Sequence, residues 1–316
     1  MNLMQTNIGK LVFNNPLYNA SGVLCKTADE ILKMNLSNSG ASITKSCTLN
    51  ERNGNPQPSY WENDNISINS MGLPNYSYTY YCEVIKRLPQ KKHCFLSIAN
   101  INNDETIKIL EYIFNKEYIQ YPEINVSCPN IVGKEQLAYN LTELDLFLKH
   151  VMTPHYNKPY GLKLPPFFDP VHINNICEVI KKYPNIKYLT CINSVGNVLD
   201  VNVDNNSGVI KPKNGLGGLG GDFILQVALS NVYQFKKNLP DIDIIGCGGV
   251  RTGIDLYKHI LVGASMVQVG TTLNREGINC IDRILEEFRT EMLFRGFTSI
   301  DDFKGKYNYL NTEILA

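Results

Sequence analysis

Across 316 residues, 30 Lys and Arg balance 30 Asp and Glu, so charge gives no reason to expect nucleic acid or an anionic membrane, and small molecules are the expected partners. The nine cysteines (25, 47, 82, 94, 128, 177, 191, 247 and 280) are odd in number and never at CxxC spacing, which points to a reducing compartment without zinc or iron–sulfur ligands. The N-terminal MNLMQTNIGKLVFNNP has no sustained apolar run and no stretch approaches the ~20 apolar residues of a membrane span, so a cytoplasmic location is expected.

In chain order, short apolar runs alternate with segments of helical period. The predicted strands are LYNASG (17–22), ASITKSC (41–47), CFLSIAN (94–100), EINVSC (123–128), YGLKLP (160–165), YLTCIN (188–193), DIIGCGG (243–249) and SMVQVGT (265–271). Near the end, Ile278, Ile281, Leu285, Phe288 and Met292 step by three and four, the packing face of a helix. Eight βα units without a composition break predict an α/β fold, a (β/α)8 TIM barrel forming one domain over 1–316, with a doubly wound sheet as the alternative. NNDET (102–106) and VDNNSG (203–208) read as loops. The connections 49–75, 129–140 and 194–221 are long, and each follows the carboxyl end of a strand, where barrels build their sites.

Cys128 ends the fourth run inside NVSCPN (125–130), flanked by Asn125, Ser127, Pro129 and Asn130, a setting that suits the mouth of a site better than a core. NGLGGLGG (214–221) contains GxGxxG at Gly215, Gly217 and Gly220, but a polar loop and no strand precedes it. It therefore reads as a flexible loop that meets a ligand through its backbone. Gly248, Gly249, Gly270 and Thr271 follow the seventh and eighth strands, where backbone N–H groups bind phosphate or where tight turns simply need glycine. Lys45 and Lys163 lie near the ends of strands two and five, facing a negative ligand or ion-paired at the surface. Asn69, Asn125, Asn130 and Asn193 lie at or after strand ends, and converging amides suit a flat polar ring with N–H and C=O groups.

These segments resemble the class 1 dihydroorotate dehydrogenases, and within them the class 1A type, along nearly the whole chain. The resemblance is carried by NASG (19–22), TKSCTL (44–49), GNPQP (54–58), SINSMGLPN (67–75), NVSCPN (125–130), GKEQLAYN (133–140), GLKLPPFFD (161–169), INSVGN (192–197), IKPKNGLGGLGG (210–221), GCGG (246–249) and VGT (269–271). It implies an α/β barrel that holds FMN at the carboxyl ends of its strands and oxidises dihydroorotate to orotate in pyrimidine synthesis. Ala20, Ser21, Gly22, Lys45, Ser46, Asn125, Lys163, Ile192 and Gly221 are implied around the flavin, with Gly248, Gly249, Gly270 and Thr271 around its phosphate. Lys45, Asn69, Met71, Gly72, Leu73, Asn125, Asn130, Asn193 and Ser194 are implied around the pyrimidine. Cys128, Lys45 and Asn130 form the implied catalytic set, with the Cys128 thiol taking the C5 proton while the C6 hydride moves to flavin N5.

The class 1A likeness implies fumarate as oxidant and a homodimer. Two departures stand out: Ser59 follows GNPQP where the family usually has Arg, and NIVGKEQ follows Cys128 where prolines usually occur. A flavin-free barrel enzyme acting on a phosphorylated metabolite, and a silent binding barrel, are the competing classes.

Overall fold

Parallel strands buried on both faces read as short apolar runs, and all eight predicted runs form strands of this kind. The computed structural model describes residues 2–89, 92–127, 135–151 and 158–310. The wall strands are β1 (Leu17–Asn19), β2 (Ser42–Ile43), β3 (Cys94–Phe95, resuming at Ser97–Ala99), β4 (Glu123–Asn125), β5 (Tyr160–Leu164), β6 (Ile186–Cys191), β7 (Asp243–Cys247) and β8 (Ala264–Val269). Each stops short of its predicted carboxyl end, because the chain there has already turned away into the loops of the site.

β3 through β8 pair in sequence order, all parallel, and β8 pairs with β1. Adjacency of the first strand to the last excludes the doubly wound order and gives a TIM-barrel-like α/β wall. β2 pairs with the Cys94–Phe95 part of β3. Between β1 and β2 no strand pairing forms among the described residues, and a side chain spans the seam instead. Asn19 Nδ2 donates to Ile43 O at 3.0 Å, and its Oδ1 accepts from Ile43 N at 3.0 Å.

Helices α1 (Ala28–Leu36), α2 (Ser77–Arg87), α3 (Asn103–Ile113), α4 (Leu141–Val151), α5 (Pro170–Ile180), α6 (Leu225–Asn238), α7 (Gly253–Leu261), α8 (Thr271–Glu276) and α9 (Asn279–Phe294) follow the strands. Their starts are chemically marked. Thr27 with Glu30, and Thr252 with Asp255, form capping boxes, and Asp169 caps α5 ahead of Pro170. NNDET is a correction: Asn102 caps α3 through a bond from Asp104 N, so the segment read as a loop is a cap and first helical turn. On α9 the predicted Ile281, Leu285, Phe288 and Met292 are buried, joined by Ile284, while Ile278 is the half-buried cap.

Period-two alternation divides the strands between two cores. Leu162, Leu164, Leu189, Val267 and Val269 pack outward against the helices. Tyr18, Ile43, Phe95, Tyr188, Ile245 and Met266 fill the amino end of the interior, closed below by Ile8 and Phe13. Those two come from an N-terminal hairpin, Thr6–Ile8 against Leu11–Phe13, whose strands are too short to show a period in the sequence. Thr6 Oγ1 donates to Ser265 O and Gly9 N to Asp243 Oδ2, tying the hairpin to the starts of β8 and β7.

The long connections also need correction. Connections 49–75 and 194–221 are not merely loops: they contribute Tyr60–Glu62, Ile66–Asn69, Val195–Val198 and Gly217–Gly221 to a four-stranded antiparallel sheet. The glycine run expected to be a flexible loop is thus an inner strand, paired on both sides. Close approach explains its composition, since a Cβ on Gly218 would lie 2.2 Å from Ser194 Oγ. The third connection, 129–140, falls partly outside the described residues and ends in a 3-10 turn at Leu137–Tyr139.

Asn19→Ala should cost about 2–6 kcal/mol in urea denaturation, because it leaves both backbone groups of Ile43 without partners, at about 1–3 kcal/mol each. An unchanged midpoint and slope would show that the β1–β2 seam is held by other contacts.

Candidate active site

The carboxyl ends of the wall strands and the inner face of the antiparallel sheet enclose one cavity. Lys163, inward on β5, is 5% exposed, and its Nζ donates to Gln268 Oε1 of β8 at 3.3 Å. Lys45, two residues beyond β2, is 6% exposed, and its Nζ lies 3.9 Å from where a Cβ on Gly22 would project. No carboxylate lies among the described lining residues, so two buried ammonium groups set the sign of the site.

Three hydroxyls knit the β1, β2 and β3 side. Ser46 Oγ lies 2.9 Å from both Ser21 Oγ and Ser97 Oγ. The amides continue from these hydroxyls, with Asn125 Nδ2 donating to Ser46 Oγ at 3.5 Å. Asn125, the last residue of β4, accepts from Ser127 N and Ser127 Oγ, while Asn193 Nδ2 donates to Ser127 Oγ at 2.9 Å and to Ser127 O. Asn69 Nδ2 donates to Gly218 O across the antiparallel sheet.

At the far end the β7 and β8 turns meet. Gly249 has φ +74° and no room for a side chain, because a Cβ there would meet Leu225 N at 2.6 Å. Thr272 Oγ1 donates to Val250 O, joining the two turns, and Thr271 Oγ1 lies 2.8 Å from Ser67 Oγ of the sheet. Behind them His259 of α7 is fully buried, with Nε2 donating to Gly248 O at 3.0 Å and Nδ1 without a partner among the described residues. The proton is therefore on Nε2, and burial pushes the imidazole down to about 4.

Every residue expected around a flavin and its phosphate, from Ala20 to Thr271, lines this cavity. So do Asn69, Met71, Leu73, Asn193 and Ser194 of the pyrimidine set. Gly72 does not line it, but sits in a turn where a Cβ would meet Asn55 Oδ1 at 2.3 Å. Cys128 and Asn130 lie outside the described residues. Ser59, the departure after GNPQP, is buried, and its Oγ accepts from Gln57 Nε2.

Sequence reading missed Tyr60, Ser67, Cys247 and Gln268 as lining residues, and His259 behind them. Alternation inward from Gly270 marks Gln268, but the others have no local signal. The cysteines other than Cys128 are all buried and free, and burial pushes the Cys25 and Cys94 thiols up to about 12. Cys247, which touches the cavity, is likewise raised by burial.

A family model described as dihydroorotate dehydrogenase matches residues 3–292. The chain belongs to the dihydroorotate dehydrogenase family. Similar relatives include a putative dihydroorotate dehydrogenase A (fumarate) of Streptococcus agalactiae, 45% identical over 311 residues, covering 97% of this chain and 99% of the relative. A protein of the same name from Streptococcus pyogenes is 44% identical over 308 residues, covering 96% and 98%. Among solved structures, DHODH of Eimeria tenella in complex with ferulenol superposes with a TM-score of 0.79 at 20% identity, covering 96% of this chain and 88% of that one, a likeness of fold alone. No helix among the described residues is long and apolar enough to cross a membrane.

For this member of the dihydroorotate dehydrogenase family, the acid stability limit should report on His259. Its folded pKa is depressed, so its contribution is present above the unfolded value near ~6.5 and is lost as pH falls toward 4. Full loss amounts to on the order of 3 kcal/mol. His259→Gln keeps an N–H toward Gly248 O and cannot ionise, so denaturation between pH 6.5 and 4 should show a flatter profile for the variant than for wild type. Parallel profiles would mean that the imidazole is not buried in its neutral form.

Proposed function

We propose that the protein oxidises dihydroorotate to orotate in de novo pyrimidine biosynthesis with FMN as cofactor and fumarate as electron acceptor. The observation that carries this reading is a cavity lined by two buried lysines and the glycine turns of β7 and β8, with no carboxylate among its described lining residues. The residues fit the group. Gly22 and Gly270 leave open space where a Cβ would intrude, with only Lys45 Nζ at 3.9 Å and Ala20 Cβ at 3.6 Å as neighbours. The backbone around Gly248, Gly249, Gly270 and Thr271 would hold the phosphate, and Ala20, Ser21, Gly22, Ser46, Asn125, Ile192 and Gly221 the ring system.

Held by these residues, FMN would supply the two-electron acceptor for the hydride from C6 of dihydroorotate. Lys45 and Lys163 stabilise negative charge that develops over them, a preorganised electrostatic role. Asn69, Asn125, Asn130 and Asn193 donate to and accept from the pyrimidine ring, and Met71, Leu73 and Ser194 shape its place under the antiparallel sheet, with Gly72 setting the backbone between Met71 and Leu73. Cys128 takes the C5 proton as thiolate, and Asn130 assists it. The same reading takes residues 1–316 as one closed (β/α)8 barrel, active as a cytoplasmic homodimer. The fumarate assignment draws on the names of the streptococcal relatives and on the class 1A-like segments around SINSMGLPN and NGLGGLGG.

The purified protein should be yellow and release FMN on denaturation, and a colourless preparation that takes up no added FMN would sink the proposal. Stopped-flow reoxidation should be faster with fumarate than with NAD or a quinone, and the reverse preference would move the protein to another subtype. Cys128→Ala should keep FMN but slow flavin reduction by dihydroorotate by roughly 10²–10⁴, the usual worth of a positioned base. Reduction at the wild-type rate would remove Cys128 from the role. Because an ordinary thiol titrates near ~8.5, wild-type reduction should rise with pH to a plateau.

A further inference from the structure

Directly beneath the cavity the barrel interior holds a carboxylate that the proposed chemistry does not use. Glu123, the first residue of β4, is 0% exposed. Its Oε2 accepts from Thr190 Oγ1 at 2.6 Å and from Gln268 Nε2 at 3.3 Å, and its Oε1 has no hydrogen-bond partner among the described residues. A carboxylate buried this deeply is stable only with donors and a countercharge in reach.

Gln268 supplies the connection. Its Nε2 also donates to Tyr18 OH at 3.0 Å, so the N–H side of the amide is turned toward Glu123 and Tyr18, while Oε1 accepts from Lys163 Nζ at 3.3 Å. Flipping the amide would set oxygen against carboxylate and NH₂ against ammonium. Electrostatics therefore fixes the order anion, dipole, cation across β4, β8 and β5. Gln268 itself is fully buried and lines the cavity, so the tie ends at its floor.

We propose that Glu123 is a positioning residue: acting through Gln268, it anchors the Lys163 head group and offsets part of its charge, so that the pair together sets how far the site stabilises a negative ligand. For the identity of that ligand the inference rests on the FMN reading; the tie between the side chains does not.

Two readouts separate these layers. In a double-mutant cycle of unfolding with Glu123→Gln and Lys163→Met, both close to isosteric, the double variant should be more stable than the summed single effects by about tenfold in the unfolding constant. Additive effects would overturn the tie, and undiminished coupling in a Gln268→Met background would overturn the relay. In the flavin-loaded protein Glu123→Gln should raise the two-electron reduction potential by about tenfold in equilibrium, ~30 mV, because removing a negative charge leaves the Lys163 charge less offset, and Lys163→Met should lower it. An unchanged or lower potential in Glu123→Gln would overturn the offset. A protein that binds no flavin would sink the proposed function instead, while the unfolding cycle would still decide whether Glu123 and Lys163 are tied.

Discussion

The alternation of side chains along parallel strands is the constraint from which the rest follows. Every second residue must point into the interior, and strands that start at the same level stack those residues in layers. The lower layer, with Tyr18, Phe95, Tyr188 and Met266, is aromatic and apolar and is sealed by the N-terminal hairpin. One step up, β3, β4, β5, β6 and β8 present Ser97, Glu123, Lys163, Thr190 and Gln268, which are polar and buried. Such a layer is tolerable only when its members satisfy one another, so its hydrogen bonds cross the interior from strand to strand. Polar residues that would destabilise an ordinary core become a rigid floor because the wall fixes their height and spacing.

The roof answers a different problem. Connections emerging from the carboxyl ends of β2 and β6 would leave the cavity open to water if they were irregular, and pairing Ile66–Asn69 with Gly217–Gly221 gives them a fixed surface. Glycine makes this possible, since residues with side chains there would collide with Ser194 or Ile68. Cross-links then lock roof to wall: Ser67 with Thr271, and Arg275 through its guanidinium to the carbonyls of Asn63 and Asp64. Excluding water around two lysines strengthens their field on whatever they face.

Legibility in the sequence followed the strength of the local pattern. The eight wall strands were readable because both faces are buried and the runs are mainly apolar, and the lysines and glycine turns were readable because their residue types sit oddly at strand ends. The antiparallel sheet was not. Gly217–Gly221 has no hydrophobic period and little intrinsic strand preference, so it is a strand only by virtue of partners distant in the chain. Asn102 was hidden for the opposite reason: a cap and a loop use the same residues, and only the bond to Asp104 N separates them. His259 and Glu123 gave no signal because their roles depend on what lies across the interior.

The amides around Ser127 bring the wall to bear on the cavity. Ser127 is fully buried and held from two directions. Its N–H and hydroxyl both donate to Asn125 Oδ1, while Asn193 Nδ2 donates to its hydroxyl and carbonyl oxygens. Asn125 belongs to β4 and Asn193 follows β6, so Ser127 is referenced to two wall strands. A proton acceptor depends on placement within a few tenths of an ångström, and placement of that kind comes from rigid elements through locked hydrogen bonds. The same two amides face the cavity, so the groups that hold Ser127 are among those proposed to hold the pyrimidine ring.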